Sequence, residues 1–430
     1  MRFVGIAGDY MILFRRIGVW FSSHLSGKIM LREQRVLMGT STLLFIANAL
    51  SGIFINTYLY LASNTDNAST GSLQSVIFYN FYFYLTFIFC MLLLGVFGKR
   101  FAQKSYMIAG LLLHVLLYFL LLTLQLGIKD CVFLLGIVGG SGSALFHIAY
   151  HNFLTSLTGG KQREHYIVVQ GIISALAGIV APVLAGIAID YIWVRSGYMV
   201  VFTISLVALV MATVISIRLP DAGVKNTRTY FAGVFLLMLH NRRFSGITFG
   251  ELVRGMRDGI LTFLIPMVLF LSTSSATMVG MYLLVCAVFQ IISSQFEKSR
   301  ICIKYHRFFM YLAILICMAA PTLFLWQVQP ITVFLYGILT SVTFGMVISG
   351  IFRTYQPALA GLPNSDKKAL ETMTIHEFFL NLGRVVGIAV FLIIPMQPDW
   401  IVAAILVLSF LQVLIVVFND RAASRRSSLR

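Results

Sequence analysis

The chain has 430 residues, of which 59% are hydrophobic and only 11% are charged. This composition excludes a water-soluble domain of the same length and indicates a polytopic α-helical membrane protein. Long apolar runs, rather than ten-residue segments of alternating polarity, exclude a membrane β-barrel. The net charge of +17 is interpreted as a signal of membrane topology, and no nucleic-acid partner is expected.

The first 36 residues form a basic segment ahead of the first long apolar run. Residues 10–21 mix large apolar side chains with Arg15 and Arg16, which suits a helix lying on an anionic membrane surface. A poorly ordered tail is the alternative. No cleavable signal peptide is expected, because Asp9 and the two arginines interrupt the apolar residues.

Twelve runs of roughly 20 apolar residues are long enough to cross a bilayer as helices. The predicted spans are 37–62, 73–97, 106–126, 131–157, 166–193, 197–217, 246–271, 275–295, 308–327, 330–356, 371–395 and 399–418. The longest loop divides them into two six-helix bundles, which predicts this order: segment 1–36, bundle 37–217, central loop 218–245, bundle 246–418 and tail 419–430. Within the central loop, Tyr230 to His240 is predicted to form a short amphipathic helix.

The distribution of Lys and Arg tests this count, because cytoplasmic loops carry an excess of positive charge. Alternate loops hold almost all of the basic residues, and the opposite loops hold only Lys129 and Arg195. An odd number of spans would scramble this alternation. We therefore expect both ends of the chain and the central loop on the cytoplasmic side.

Predicted span seven begins with four charged residues in an otherwise apolar segment. Insertion scales place the cost of each charge near a helix centre at roughly 2.5 to 3.5 kcal/mol. Glu251, Arg254 and Asp258 stand at i, i+3 and i+7 and share one helix face with Gly255 and Thr262. This polar stripe predicts either a cavity-lining face with room for a ligand or a close helix, or a structural ion-pair network.

Predicted span eleven carries Glu377, Asn381 and Arg384 on one face. An arginine near the middle of a span requires an anion, which Asp258 or a substrate carboxylate or phosphate would supply. Arg353 in predicted span ten is the second candidate anion site.

The intramembrane carboxylates are the candidates for proton coupling. Glu251, Asp258 and Glu377 would each take up or release a proton when the contacts of the neighbouring arginines change. Arg254, Arg353, Asn381 and Arg384 are the substrate-binding candidates that accompany them.

Predicted span four carries His147 and His151 at i and i+4. The pair lacks the third ligand that a metal site needs. It is interpreted as a proton-sensitive cavity pair or as two histidines with structural hydrogen bonds. The five cysteines are scattered without metal-ligand spacing, so neither a metal nor a cofactor is expected.

Two local motifs indicate a family. Between predicted spans two and three, residues 95–104 read GVFGKRFAQK. This segment resembles the G-x-x-x-D-[RK]-x-G-[RK]-[RK] motif of the major facilitator superfamily at Gly95, Arg100 and Lys104. Lys99 stands where the family has aspartate, and Ala102 stands where it has the second glycine.

Predicted span five resembles the glycine- and proline-rich antiporter motif of the same superfamily at Gly178, Pro182 and Gly186, with Asp190 after them. Simple helix packing is the alternative interpretation. Residues 378–384, FFLNLGR, are similar to an eleventh-span segment of little-characterised bacterial members.

The resemblance implies an all-α fold of twelve membrane helices in two six-helix bundles. In that superfamily spans one, four, seven and ten line the cavity, which makes Asn48 and Asn56 of span one substrate-contact candidates alongside the two histidines. The aromatic run Phe78 to Tyr84 in span two is interpreted as an interfacial aromatic belt, with a stacking wall for a ligand as the alternative.

These observations predict a non-enzymatic secondary active transporter. The sequence contains no Walker A pattern, so we expect transport driven by a gradient, with alternating access. The intramembrane carboxylates favour protons as the coupling ion, and the resemblance to the antiporter motif favours export of a small amphipathic compound. The remaining alternatives are a lipid or glycolipid flippase of the same fold and a membrane sensor or assembly subunit. A monomer in a bacterial inner (plasma) membrane is expected from the resemblance.

Overall fold

The computed structural model describes residues 30–64, 69–97, 102–192, 194–221, 231–360 and 365–423. Regular structure in these ranges is helical throughout, with no strand. The surface helix expected within residues 10–21 lies outside the described residues, as does the end of the tail after residue 423.

Fifteen α-helices are present in the described ranges. They are α1 (Arg32–Ser63), α2 (Ser69–Phe97), α3 (Gln103–Leu124), α4 (Val132–Leu157), α5 (Gly160–Tyr191), α6 (Val194–Ser216), α7 (Phe231–His240), α8 (Arg242–Thr273), α9 (Ala276–Glu297), α10 (Arg300–Lys304), α11 (His306–Ala319), α12 (Pro330–Ala360), α13 (Ser365–Ile393), α14 (Pro398–Phe410) and α15 (Val413–Ala423). Two 3-10 helices, Gln125–Cys131 and Ala320–Leu325, join neighbouring helices.

Eleven stretches of the described chain are long and apolar enough to cross a membrane. One of them, Gln103–Leu157, has 55 residues and contains both α3 and α4, which pack against each other. Gln125, with φ of 46°, ends α3 in a conformation that breaks a helix. The predicted all-α membrane fold is confirmed, and counting α3 and α4 separately gives the expected twelve crossings.

Short connections make successive membrane helices antiparallel, so the bundle has two ends. We call the end at which α1 begins the near end and the opposite end the far end. We call α1–α6 the N-terminal half and α8–α15 the C-terminal half. The main contacts between the two halves join α5 to α9 and α2 to α13.

The most extensive helix contact in the C-terminal half is between α8 and α13, and four glycines permit a close approach. A Cβ atom at Gly255 of α8 would overlap the carbonyl oxygen of Leu380, and one at Gly259 would lie 2.6 Å from the Cα of Arg384. Gly383 and Gly387 of α13 face the α8 backbone in the same way. Because lipid tails are as apolar as leucine, such small-residue contacts are a main source of helix association in membranes. Of the two uses predicted for the space beside Gly255, the structure has the close helix.

The helix predicted in the central loop is confirmed as α7, and it contacts both halves at the near end. A Cβ atom at Gly95, near the end of α2, would lie 2.6 Å from Cδ2 of Phe231. One turn further along, the ring of Phe235 packs against Phe378 and Phe379 of α13 at centroid distances of 6.0 and 6.1 Å. The central loop therefore connects the halves by packing as well as by sequence.

Gly383→Ala is expected to destabilise the protein, because the new methyl group would overlap the Leu252 carbonyl and separate α13 from α8. The expected cost is about 1–3 kcal/mol, typical of overpacking. Thermal unfolding of purified protein in detergent measures it. Gly39→Ala is the matched control, since a Cβ atom there meets nothing within 4 Å. Equal melting temperatures for the two variants would contradict the tight contact.

Candidate functional site

A network of ion pairs lies inside the C-terminal half on α8. The Glu251 side chain is 0% exposed, and its Oε2 accepts hydrogen bonds from Nε and Nη2 of Arg254 at 2.8 and 2.6 Å. Arg254 Nη1 also donates to Asp258 Oδ2 at 3.1 Å. The three side chains predicted to share a face therefore form one intrahelical network, in which Arg254 bridges two carboxylates.

Two neighbouring helices extend this network. Arg257 Nη1 lies 3.7 Å from Asp258 Oδ1, and its Nη2 donates to the Tyr336 hydroxyl of α12 at 3.0 Å. On α13, His376 Nε2 lies 3.3 Å from Glu251 Oε1. Sequence reasoning missed Tyr336 and His376. Tyr336 could have been noticed as a phenol within an apolar span, and His376 as an imidazole next to Glu377 in the sequence.

Span eleven holds a second polar relay. Asn381 Nδ2 donates to the backbone carbonyl of Glu377 at 2.7 Å and to its carboxylate at 3.3 Å. Asn381 Oδ1 in turn accepts from Arg384 Nη1 at 2.9 Å. The guanidinium of Arg384 lies over the ring of Tyr84 in α2, 5.1 Å from its centroid, which is a cation–π contact between the two halves.

Arg384 differs from the arginines of α8 in lacking a carboxylate partner. In the part of the chain that the structure describes, no Asp or Glu oxygen lies within 4.0 Å of its guanidinium. Asp258, the partner considered from the sequence, is bound by Arg254 and lies beside Arg257 instead. The α8 network is thus internally paired, and Arg384 is the partly exposed cation beside it.

A cavity of about 340 Å³ lies between the halves. The N-terminal half supplies most of its wall, and the C-terminal half contributes Thr262 and Phe263 of α8 and Leu283 of α9. Its polar lining residues are Asn48, Asn56, Asn80, His114, Ser143 and Thr262, and its tyrosines are Tyr79, Tyr84 and Tyr118. This volume and mixed lining are typical of a small-molecule pocket.

The two asparagines predicted from span one both line this cavity. Asn56 Oδ1 accepts a hydrogen bond from Asn80 Nδ2 at 2.8 Å, so part of its amide is already used. Asn48 is exposed to the cavity, and its amide has no hydrogen bond to any described residue. Asn48 is therefore the freer of the two for contact with a ligand.

The aromatic run of span two is divided between two faces. Tyr79, Phe83 and Tyr84 line the cavity, whereas Tyr82 packs against Phe133 of α4 with ring centroids 4.9 Å apart. The interpretation of the run as an interfacial belt is therefore wrong for the three cavity-lining rings. Helical periodicity predicts that the aromatic side chains of α2 divide between two faces. The sequence alone did not show which of these faces points toward the C-terminal half.

His147 and His151 are not part of the cavity lining. His147 Nδ1 lies 2.9 Å from the Ser143 carbonyl oxygen, one turn earlier on α4, and the two imidazole centroids are 6.3 Å apart. The histidine that does line the cavity is His114, which sequence reasoning missed. In the described residues, no group of three or more His, Cys, Asp or Glu side chains is placed to hold a metal ion.

The predicted turn motif after α2 is only partly described. Gly95 packs under Phe231, and Lys104 Nζ lies 3.8 Å from Asp221 Oδ1. Arg100 lies outside the described residues, and so does the side chain of the anion-site candidate Arg353.

The motif of span five lies at the contact between α5 and α9. A Cβ atom at Gly186 would lie 2.5 Å from the Ala276 carbonyl oxygen, and one at Gly280 would lie 2.5 Å from that of Pro182. A Cβ atom at Gly178 would meet nothing within 4 Å. Gly186 and Pro182 are thus packed between the two halves, toward the far end.

Asp190 completes this contact by capping the first turn of α9. Its carboxylate accepts hydrogen bonds from the Ser275 hydroxyl at 2.7 Å and from the backbone N–H groups of Ala276 and Thr277 at 2.9 and 2.8 Å. The N–H groups of a helix N-terminus need such partners, and negative charge is favoured there. A side chain of the N-terminal half therefore satisfies the helix start of the C-terminal half.

An all-α bundle of twelve membrane helices, with a pocket of mixed polarity between its halves, defines a membrane transporter rather than an enzyme. The sequence matches the Major Facilitator Superfamily over residues 37–388, and the chain belongs to that family.

The chain is also similar to a protein of Bacillus subtilis and to solved structures of transporters. The chain is 26% identical over 352 residues to "Uncharacterized protein YqgE" of Bacillus subtilis (strain 168), covering 80% of this chain and 79% of that protein. A bacterial homologue of the iron transporter ferroportin in an inward-facing state has a TM-score of 0.68 at 15% identity, over 92% of this chain and 99% of that one. A mutant of the peptide transporter POT, in complex with alafosfalin, also gives 0.68, at 13% identity over 91% of this chain and 94% of that one. At these identities the two structures show a shared fold.

Arg254→Met is expected to destabilise the protein strongly, because it leaves the Glu251 carboxylate buried without its bridging cation. Removing one partner of a buried pair costs about 3–5 kcal/mol. The double variant Glu251→Gln/Arg254→Met removes the stranded charge and should recover part of that loss. Thermal unfolding of both variants measures the difference. A double variant no more stable than Arg254→Met would contradict the pairing.

Asp190→Ala is expected to loosen the far end of the α5–α9 contact, since three donors at the start of α9 lose their acceptor. Loss of a helix cap costs about 0.5–2 kcal/mol. Spin labels at Tyr191 and Trp326, which are 83% and 92% exposed in opposite halves, report the separation. A broader and longer distance distribution than in the wild type is expected. Asp190→Asn, which keeps one acceptor oxygen, should lie between the two.

Proposed function

We propose that this chain is a secondary active transporter that exports a small amphipathic compound in exchange for protons, by alternating access. The two predicted bundles, residues 37–217 and 246–418, move relative to each other about the central cavity. The observation that carries the proposal is the position of a mixed-polarity pocket between the halves, directly beside a buried set of carboxylates and arginines.

Thr262 connects the pocket to the charged network. It lines the cavity, and its hydroxyl donates to the backbone carbonyl of Asp258 at 2.6 Å. The Asp258 side chain retains 12% exposure, whereas that of Glu251 has none. Asp258 is therefore the more accessible carboxylate of this network, and its protonation would weaken its attraction to Arg254 and Arg257.

Glu377 is the second candidate, and it lies near the other half. It is partly exposed, and it lies close enough to His151 in α4 for its charge to affect the imidazole. A change of charge on Glu377 would alter both this interaction and the hydrogen bond from Asn381. Proton binding to Glu377 would therefore change interactions in both halves, which is the requirement for coupling a proton to their movement.

The contact between α5 and α9 supports the same scheme. Asp190 and the packed glycines join the halves at the far end, so this contact must open when the cavity faces that side. We further propose a monomer in the inner (plasma) membrane, with both termini and the near end in the cytoplasm. The alternation of basic loops supports this orientation.

Proton flux in proteoliposomes tests the proposal. Purified protein is reconstituted with an internal pH-sensitive dye, and amphipathic cations, amphipathic anions, sugars and glycolipids are added one at a time. One compound class should trigger proton movement that Asp258→Asn and Glu377→Gln reduce at least about tenfold, since each removes a titrating group. Glu251→Gln should also reduce it, with folding checked by thermal unfolding.

Asp399→Asn is the matched control, because Asp399 is exposed at the start of α14. It removes the same charge away from the cavity and should leave the flux unchanged. Substrate movement without proton movement would sink the coupling and favour a facilitator. Movement of glycolipid alone would favour a flippase, and binding without any movement would favour a sensor.

A further inference from the structure

We propose that the cavity takes an amphipathic acid, whose carboxylate or phosphate head binds Arg384 while its apolar body lies against the rings of α2. This inference rests on the proposed transport function and names the substrate class of the same site. Its basis is the juxtaposition of one incompletely satisfied guanidinium with an aromatic pocket that contains no charged lining residue.

The guanidinium of Arg384 has donors to spare. Arginine stays protonated in proteins and carries five N–H donors, and among the described residues Arg384 makes one hydrogen bond, from Nη1 to Asn381. No described carboxylate lies within 4.0 Å of it. A permanent charge at this depth in a membrane span is costly unless an anion or water meets it. The side chain is partly exposed, so a ligand can supply that anion.

Tyr84 places this cation at the edge of the cavity. Its ring lines the pocket, and the Arg384 guanidinium lies over the same ring, 5.1 Å from its centroid. On α8, Gly259 packs directly against the Arg384 backbone, and Thr262, one turn later, lines the same pocket. Arg384 therefore lies at the same depth in the bundle as the cavity, although its own atoms do not line the cavity.

The cavity wall fits the apolar part of such a compound. Tyr79, Phe83, Leu117, Phe263 and Leu283 supply rings and branched side chains. Its volume of about 340 Å³ is at the lower end of the range for small-molecule pockets, which suits a ligand of one or two rings. The unpaired amide of Asn48 provides a neutral hydrogen-bonding group within the same wall.

Arg254 and Arg257, the two buried arginines of the region, are not available to bind the anionic head of a ligand. Arg254 binds both Glu251 and Asp258 through Nε, Nη1 and Nη2, and Arg257 lies between Asp258 and the Tyr336 hydroxyl. Both are buried. A ligand anion would have to displace a protein carboxylate to reach either of them, whereas at Arg384 it meets free donors.

The Asn381 relay gives Arg384 a fixed geometry for this purpose. Glu377 reaches Arg384 only through Asn381, whose Nδ2 donates to the carboxylate and whose Oδ1 accepts from Nη1. The relay and the Tyr84 ring hold the planar guanidinium on one edge and one face. The remaining edge, with Nε and Nη2, presents the paired donors that match a carboxylate or phosphate.

Three compounds with one ring system test the charge preference: indole-3-acetate, tryptamine and tryptophol carry an anionic, a cationic and a neutral head. Full-length protein in phosphatidylcholine nanodiscs is assayed by equilibrium binding of radiolabelled indole-3-acetate and by competition. The acid should bind at least about tenfold more tightly than the other two. Arg384→Gln should weaken binding of the acid about ten- to a hundredfold, the value of one charged hydrogen bond.

The same variant should change the affinity for tryptophol less than about twofold, because the ring contacts remain. Arg384→Lys should retain part of the preference for the acid. Arg300→Gln is the matched control, since it removes an exposed cation of the near end. Equal affinities for the three indoles, or an Arg384→Gln protein that melts like wild type and keeps the preference, would overturn the inference.

If Arg384→Gln does not fold, the wild-type ranking and Arg384→Lys decide the question by the same criteria. Phenyl phosphate and phosphatidylglycerol are added as further anionic competitors. Competition by phosphatidylglycerol in the nanodisc assigns the acid to a lipid headgroup, and competition by the soluble acids alone assigns it to a free metabolite. Failure of every anionic probe to bind would overturn the inference.

The two proposals fail separately. Binding of the acid that depends on Arg384, in a protein that moves neither acid nor proton across proteoliposomes, would remove the transport proposal and leave the anion site. Transport of neutral or cationic compounds at a rate unaffected by Arg384→Gln would remove the anion site and leave the transport proposal.

Discussion

The burial of Glu251 against Arg254 is the interaction on which the C-terminal half depends. A carboxylate with no exposed surface inside a membrane span is tolerable only with a cation in direct contact. Arg254 supplies that contact and binds Asp258 as well. Two α8 glycines then let α13 approach closely enough to bring His376 within 3.3 Å of Glu251. Charge pairing and the most extensive helix contact of this half therefore involve the same two helices.

The same arrangement explains why the region divides into a paired and an unpaired part. The α8 charges satisfy one another over one and two helical turns, which is possible because residues three and four apart face the same side. Arg384 lies on the neighbouring helix and shares none of these carboxylates. Its partners are an amide and an aromatic ring. The protein therefore has an internally paired charged cluster and, next to it, a cation with no carboxylate partner among the described residues.

Much of this could be predicted from the sequence, for identifiable reasons. Apolar run length and loop charge gave the crossings, because the bilayer fixes the first and topology biases the second. Helical spacing placed Glu251, Arg254 and Asp258 on one face. The family resemblance made Asn48 and Asn56 cavity candidates, and both line the cavity. Contacts between distant helices were out of reach: the partnership of Tyr336 with Arg257, and of Asp190 with the start of α9, depends on tertiary packing that periodicity does not encode. The aromatic run of α2 was misjudged for the same reason.

The short helix α7 has a mechanical consequence for movement between the halves. Phe231 lies in the space left by the missing side chain of Gly95, while Phe235 stacks on Phe379 of α13. One turn of α7 thus connects a contact in the N-terminal half, at Gly95, to an aromatic stack in the C-terminal half. If the halves separate at this end, as alternating access requires, α7 must either leave its contact with Gly95 or displace α13, the helix that carries Glu377 and Arg384. In the proposed alternating access, the central loop would therefore transmit movement at the near end to the helix that carries the charged residues Glu377 and Arg384.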